Sequence, residues 1–148
     1  MKFTTMIRCV PLGLVLASAG CAIHDAQDPE VEAAVRIHYL EIVTPDPDAA
    51  CRALEKLSGV RFGEPDAGLG NARTAALDGG GLIGVRGPLR EDEGPVVRPY
   101  VLVDDIEAAV EAARAAGGEF AMTPTESPGR GRFAIYFQGG IQHGVWQR

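Results

Sequence analysis

The chain has 148 residues, which is enough for one domain with a buried core. Hydrophobic residues make up 46% and charged residues 23%, values that are typical of a globular protein and exclude a disordered or fibrous one. The formal net charge of −6 argues against nucleic-acid binding, because that function needs a basic surface to neutralise phosphates.

The first element in chain order is a predicted export signal at residues 1–20. Lys2 and Arg8 accompany a short apolar stretch, which is well below the roughly 20 residues of a membrane-spanning helix. The sequence Ala-Ser-Ala-Gly then precedes Cys21 and resembles the signal of bacterial lipoproteins, in which the cysteine is lipidated. The alternatives are an ordinary signal peptide with an incidental Cys21, and no export. The resemblance implies a lipid-anchored protein of the bacterial cell envelope, facing the periplasm or the exterior.

A tether is predicted at residues 21–35, because this segment is polar and acidic. Once Cys9 has left with the signal and Cys21 carries lipid, Cys51 has no partner for an internal disulfide. Cys51 lies among alanine and leucine residues at helical spacing. This setting favours a small buried hydrophobic side chain over a nucleophile.

The domain at 36–148 consists of two similar halves, predicted as modules 36–87 and 96–148. Each half begins with a strand rich in β-branched and aromatic residues. A helix follows, which begins at an aspartate and ends at a glycine, and three short strands complete the half. The predicted strands are 36–43, 60–62, 72–77 and 82–86 in the first half, and 97–103, 119–122, 133–137 and 142–146 in the second. One βαβββ unit cannot cover its own sheet, so two must pair. The fold class is therefore α+β.

This order of elements resembles the vicinal oxygen chelate superfamily of glyoxalases, bleomycin and fosfomycin resistance proteins, and extradiol dioxygenases. The resemblance rests on the duplicated βαβββ plan, the Val-Asp-Asp-Ile-Glu-Ala-Ala helix start, the Gly-Gly helix end and the closing Gly-x-Trp-Gln strand. It covers about residues 36–147. It implies that the two modules form an eight-stranded cup with flanking helices.

Members of that superfamily hold up to four metal ligands in the cup, two from each half. The resemblance assigns the corresponding positions to His38, Gly84, Arg98 and Gly144. Only His38 could bind a metal, since arginine stays protonated and glycine has no side chain. We therefore expect no metal and no other cofactor. His38 itself is open to three interpretations: a polar residue of the cup, a structural histidine or a ligand.

Strand alternation from those four positions predicts the cup lining. The expected residues are His38, Leu40, Ile42, Leu82, Gly84, Arg86, Arg98, Tyr100, Leu102, Gln142, Gly144 and Trp146. The arginines favour an anionic ligand, and Tyr100 and Trp146 favour an aromatic one. The two glycines would leave room for a ligand against the strands. Alternatively, the arginines pair with acidic residues at the rim.

The functional hypothesis is a membrane-tethered, metal-free protein that binds a small molecule of anionic or aromatic character, as bleomycin resistance proteins do. One rival is a lyase or dioxygenase with an atypical metal site or acid–base chemistry from His38 and Tyr100. Another is a structural role in the envelope. The sequence leaves open whether the two halves close within one chain or pair across a homodimer.

Overall fold

The computed structural model describes residues 34–148, which form an eight-stranded sheet and two helices. The strands are β1 (Ile37–Val43), β2 (Pro65–Asp66), β3 (Ala72–Ala76), β4 (Leu82–Arg86), β5 (Val96–Leu102), β6 (Glu119–Ser127), β7 (Gly131–Gln138) and β8 (Ile141–Gln147). The helices are α1 (Pro47–Ser58) and α2 (Ile106–Ala115), with a 3₁₀ helix at Ala67–Leu69. The predicted signal and the predicted lipidation site Cys21 lie outside the described residues.

The sheet has the strand order β2-β3-β4-β1-β5-β8-β7-β6. Within each half the first and last strands pair in parallel, β1 with β4 and β5 with β8. The two halves join edge to edge through the antiparallel pair β1–β5. This arrangement confirms the predicted α+β class with two βαβββ modules. Both modules of the cup belong to one chain.

Both helices begin in the same way, which supports the duplication inferred from the sequence. The carboxylate of Asp46 caps α1 by accepting from the Ala49 N–H at 2.9 Å, and that of Asp105 caps α2 by accepting from Ala108 at 3.0 Å. A side-chain oxygen at this position satisfies a backbone donor that the helix leaves unpaired. Gly59 ends α1 with a φ of +73°, a left-handed conformation that favours glycine.

Each helix packs on the outer face of its own half of the sheet, whereas the opposite face forms the cup. The core between α1 and the sheet contains the buried residues Cys51, Phe62, Ala75 and Val85. The core between α2 and the sheet contains Ile106, Val110, Ala134 and Val145. A third cluster lies on the cup face and is centred on Tyr39, Tyr100 and Trp146. Burial raises the pKa of the Cys51 thiol, as expected for a core residue rather than a reactive one.

One predicted strand is wrong. Residues 60–62 form no strand, and the two-residue β2 stands in its place. Phe62 is buried in the core under α1, and its backbone N–H donates to Glu55 Oε1 at 3.0 Å. Residues 60–62 belong to a loop whose Val60 and Phe62 side chains pack in the core, and this gives the same alternation of apolar and polar residues as a strand. Among residues 34–148, no helix is long and apolar enough to cross a membrane.

Candidate functional site

A cavity of about 140 Å³ lies on the cup face and is lined by residues from both halves; we name it the cup cavity. Its polar lining residues include Glu41, Arg86, Arg98 and Ser127. Its apolar and aromatic lining residues include Tyr39, Leu69, Leu89, Tyr100, Met122, Phe133, Ile135 and Trp146. A mainly apolar wall with a few polar groups is the usual composition of a ligand site.

Four predicted cup residues, Arg86, Arg98, Tyr100 and Trp146, line this cavity, but the prediction for β1 is wrong. Tyr39 and Glu41 line the cup cavity, and Ile42 packs against the core under α1. Leu40 does not line the cavity either. The predicted alternation of β1 is therefore one residue out of phase.

The register of the sheet explains the error. Glu41 pairs with Gly84, and Tyr100 pairs with Gly144. When the two halves are matched, the last strands correspond at a spacing of 60 residues, from Gly84 to Gly144. The first strands correspond at a spacing of only 59 residues, from Glu41 to Tyr100. A shift of one residue moves every side chain of a strand to the other face. Tyr39, rather than His38, is consequently the counterpart of Arg98.

His38 lies beside the cup cavity rather than in it. The register of β1 against β5 shifts between Ile37 and Tyr39, and His38 lines a second cavity of about 200 Å³, which we name the side cavity. The side cavity shares Tyr39, Leu69 and Trp146 with the cup cavity. The imidazole lies 5.4 Å from the Trp146 ring. Burial, followed by the positive charges of Arg148 and Arg130, lowers the pKa of His38.

A buried ion cluster forms one wall of the cup cavity, with Glu41 at its centre. Glu41 Oε1 accepts from Arg86 Nε at 2.6 Å, and Oε2 accepts from Arg98 Nη1 and, at 3.1 Å, from the Tyr100 hydroxyl. Glu41, Arg86 and Arg98 are each no more than 5% exposed. Burial, with the Glu41 charge second, raises the pKa of Tyr100, so this phenol is protonated at neutral pH.

Glu93, from the linker between the modules, completes the ion cluster. It accepts from Arg86 Nη1 and Nη2, both at 2.8 Å, and its Oε1 lies 4.0 Å from Arg98 Nη2. The bond from Arg86 lowers the pKa of Glu93 to about 2. Burial acts to lower the pKa of Arg86, because it disfavours the charged guanidinium. The bonds to Glu93 and Glu41 have the larger combined effect, so the pKa of Arg86 is raised.

The guanidinium groups are nearly saturated by these partners. Arg86 donates from Nε to Glu41, from Nη1 to Glu93 and the Gly87 carbonyl, and from Nη2 to Glu93. Arg98 donates from Nε and Nη2 to Gln142 Oε1, and from Nη1 to Glu41 and the Tyr100 hydroxyl. Each therefore uses four of the five N–H donors of arginine. The alternative interpretation from the sequence, pairing with acidic residues, describes this geometry, except that Glu41 is buried on the cavity wall and does not lie at the rim.

Gly84 and Gly144 do not leave open space in the cup, contrary to the expectation from the sequence. A Cβ on Gly84 would overlap the ring of Tyr39, and one on Gly144 would overlap the ring of Tyr100. Both glycines are buried. Their role is to let two tyrosine rings approach the strands closely.

Two buried hydroxyls on the cavity wall lack a hydrogen-bond partner within the part of the chain that the structure describes. They belong to Tyr39 and Ser127, which are 4% and 3% exposed. Both residues line the cup cavity. Burial, then the Glu41 charge, raises the pKa of Tyr39, so its hydroxyl keeps its proton. Buried polar groups normally have partners, so each of these hydroxyls carries a desolvation cost that no hydrogen bond among the described residues compensates.

The described residues do not fit the metal site that the sequence resemblance implies. The corresponding positions carry a guanidinium that bonds to Glu41 and Gln142, two glycines covered by tyrosine rings, and either His38 or Tyr39. Nowhere in residues 34–148 do three side chains of His, Cys, Asp or Glu converge on one point. The absence of a metal remains a prediction.

Sequence reasoning missed Tyr39, Glu41, Glu93 and Ser127. One signal was available for Glu41, because a carboxylate in an apolar strand is costly beneath a helix and belongs on the face that offers counter-charges. Glu93 and Ser127 carried no such signal. Their positions depend on how the linker and the end of β6 fold over the cup.

No protein-family model matches the chain, and no curated protein matches its sequence. Solved structures do match the fold. Methylmalonyl-CoA epimerase from Mycobacterium tuberculosis is 19% identical with a TM-score of 0.57, over 75% of this chain and 86% of that one. A hypothetical protein from Bacillus halodurans C-125 is 14% identical with a TM-score of 0.61, over 78% and 96%. A methylmalonyl-CoA epimerase in complex with methylmalonyl-CoA and NH4+ is 18% identical with a TM-score of 0.56, over 78% and 95%.

Proposed function

We propose that this protein is a metal-free small-molecule-binding protein of the glyoxalase and bleomycin resistance type, tethered to a membrane. The observation that carries the proposal is the cup cavity itself. Its wall is mainly apolar and aromatic, and its charged groups are bonded to each other. Such a wall favours binding over chemistry, because Glu41 and Glu93 are paired with arginines and no base among residues 34–148 is hydrogen-bonded to the Ser127 hydroxyl.

The structural neighbours support a ligand-binding use of the fold. Methylmalonyl-CoA epimerases include one solved with methylmalonyl-CoA and one from Streptomyces coelicolor solved with 2-nitronate-propionyl-CoA. A fold of this kind is therefore compatible with a bound small molecule. The cup cavity of this chain is itself small, at about 140 Å³.

The rival proposal is a lyase or dioxygenase of the same superfamily, with acid–base chemistry from His38 and Tyr100. The geometry disfavours it. The His38 ring lies in the side cavity, whereas the Tyr100 hydroxyl bonds to Glu41 in the ion cluster. Acid–base catalysis needs both groups within hydrogen-bond reach of one substrate.

Binding can be tested directly with the full-length protein. Native mass spectrometry of freshly purified protein, followed by a small-molecule screen that monitors the fluorescence of Trp146, reports any occupant of the cup. Trp146 is the only tryptophan and lines both cavities. We expect at least one saturable ligand that is recovered unchanged. Turnover of the bound molecule would favour the enzyme, and the absence of any ligand in both assays would overturn the proposal.

The membrane tether is a separate part of the proposal and rests on the lipoprotein-like sequence that ends at Cys21. In a bacterial host, the protein is expected in the membrane fraction, and Cys21→Ser is expected to remove the lipid and change its processing. Mass spectrometry of the N-terminus distinguishes the two forms. Wild-type protein in the cytosol with Met1 intact would contradict the tether.

A further inference from the structure

We propose that the ligand of the cup cavity carries a carboxylate, which binds Arg86 by displacing the carboxylate of Glu93. This inference rests on the proposed binding function and names the chemistry of the ligand. It also gives the step by which an arginine that already has acidic partners becomes available to an anion. Three observations carry it: the contacts of Glu93, the exposure of the linker that holds it, and the charge balance of the ion cluster.

Glu93 binds Arg86 in the way that a free carboxylate would. Its two oxygens accept from Nη1 and Nη2, each at 2.8 Å, which is the paired arrangement by which arginine recognises carboxylates. The Leu89 N–H donates to Glu93 Oε2 at 2.7 Å, and Arg98 Nη2 lies 4.0 Å from Oε1. Arg86, Leu89 and Arg98 all line the cup cavity, whereas Glu93 does not. A ligand carboxylate in the place of Glu93 would therefore be bound by the wall of the cup.

The linker that carries Glu93 lies on the surface. Residues 88–95 are all exposed except Glu93, whose side chain is 14% exposed. Within the described part of the chain, the side-chain hydrogen bonds from residues 88–95 to the rest of the protein are those of Glu93 to Arg86. The bond from Arg90 to Asp92 stays inside the linker. Release of the linker would therefore transfer mainly one carboxylate into water, where a charge is well solvated.

The charge balance of the ion cluster requires exchange rather than addition. Arg86 and Arg98 contribute two positive charges, which Glu41 and Glu93 match. A ligand carboxylate added to this set would be a third negative charge beside two positive ones, and burial of an unmatched charge is costly. If Glu93 moves into water, the ligand restores the balance and receives the same donors. Glu41 is 5% exposed on the central strand β1, so Glu93 is the carboxylate that exchanges.

Benzoate and benzamide are the probes, because they share a flat ring and differ in charge. Titration of the full-length protein is followed by the single indole N–H resonance of Trp146, which lines the cup cavity. Glu93→Ala removes the competing carboxylate and should bind benzoate at least about tenfold more tightly than the wild type, the typical effect of one hydrogen bond to a charged group. Benzamide should gain far less, because it brings no charge to the vacated guanidinium.

Glu91→Ala is the matched control for this gain. It removes an exposed carboxylate from the same linker and therefore makes the same change in net charge. An effect of net charge alone acts through water and is screened by salt. Glu91→Ala should accordingly bind benzoate like the wild type.

The wild type offers a second readout that does not depend on the stability of any variant. Leu89 donates its N–H to Glu93, so its amide resonance reports whether Glu93 is in place. In protein labelled with ¹⁵N-leucine, benzoate should shift the Leu89 resonance with the same concentration dependence as the indole resonance of Trp146. Benzamide should leave the Leu89 resonance where it is.

The outcomes separate this inference from the proposed function. Equal benzoate affinity in the wild type and Glu93→Ala, or equal gains in Glu93→Ala and Glu91→Ala, would overturn the exchange. A Leu89 resonance that stays in place while benzoate saturates the Trp146 signal would overturn it too. Failure of benzoate to bind the wild type and Glu93→Ala, while the screen finds a neutral ligand, would overturn the inference alone. Failure of every ligand in the screen would overturn the proposed function as well.

Discussion

Glu41 is the central residue of the buried ion cluster, because its carboxylate supplies the counter-charge that the buried guanidinium groups need. Its two oxygens accept from Arg86, Arg98 and Tyr100, and the residue is 5% exposed. Charges removed from water are tolerated only where the partners compensate for lost hydration. The sequence predicted individual residues of the cup less well than it predicted the order of the strands and helices. The arginines were identified as cup residues, but the acids that neutralise them were not.

Glu41→Gln should destabilise the protein, because it leaves two buried guanidinium groups with only Glu93 as counter-charge. Breaking a buried ion pair from one side typically costs about 3–5 kcal/mol of unfolding free energy. Urea denaturation measures the change. Asp48→Asn is the control, since it removes the largely exposed Arg73–Asp48 pair and should cost less than about 1 kcal/mol. Equal losses in the two variants would contradict a buried cluster.

Glu93 should make the stability depend on pH in the acid range. Its pKa is lowered from 4.5 to about 2, so its carboxylate stabilises the fold above pH 4.5 and this contribution is lost as the pH falls towards 2. The full effect is on the order of 3 kcal/mol. Glu93→Gln should be less stable than wild type near neutral pH and approach it in acid. Urea midpoints across this range measure the difference.

The control for this pH dependence is Glu91→Gln, which removes an exposed carboxylate from the same linker. It should retain the acid-dependent loss of the wild type. A Glu93→Gln profile parallel to that of wild type down to acid pH would show that the Arg86–Glu93 pair does not contribute to stability.

The paired strands β1–β4 and β5–β8 make a similar contact with tyrosines that are not equivalent in the repeat, since the register makes Glu41 the counterpart of Tyr100. A tyrosine of the first strand lies over a glycine of the last, Tyr39 over Gly84 and Tyr100 over Gly144. The repeat identified both glycines correctly as equivalent positions. Strand alternation also placed Tyr100 in the cup but not Tyr39, because the one-residue difference in spacing placed the wrong face of β1 towards the cup.

Gly144→Ala should be destabilising, because the new methyl group would overlap the buried ring of Tyr100. Overpacking of this kind typically costs about 1–3 kcal/mol. Gly94→Ala is the matched control, since a Cβ there meets no atom within 4 Å and the residue lies in the linker. Thermal unfolding compares the two. A Gly144→Ala protein as stable as Gly94→Ala would mean that the Tyr100 ring is not held against β8.

The order of elements was predictable because helix caps and strand patterns are local. Asp46, Asp105 and Gly59 perform the roles that their residue types favour. The segment at 60–62 was misread because a loop with two inward side chains has the same alternation as a strand. Strand pairing decides between the two, and pairing is not a local property of the sequence.

At the scale of the whole molecule, the duplicated plan brings residues distant in sequence to one cavity. Glu41 and Arg98 are 57 residues apart and meet across the β1–β5 junction between the modules. The sequence indicated this cup through the repeat, and the solved structures with matching folds agree with it. It could not indicate the charge balance inside the cup. That balance depends on a linker carboxylate whose position only the folded chain determines.

We propose that this cup binds its ligand without a metal, and treatment with a chelator tests this proposal. The affinity of a ligand from the screen is measured by Trp146 fluorescence before and after treatment of the full-length protein with EDTA. We predict the same Kd and the same melting temperature in both states. Three of the four positions at which the superfamily carries metal-binding residues are occupied here by Arg98, Gly84 and Gly144, which cannot bind a metal ion. Binding that disappears with EDTA and returns on addition of a divalent metal ion would contradict the account.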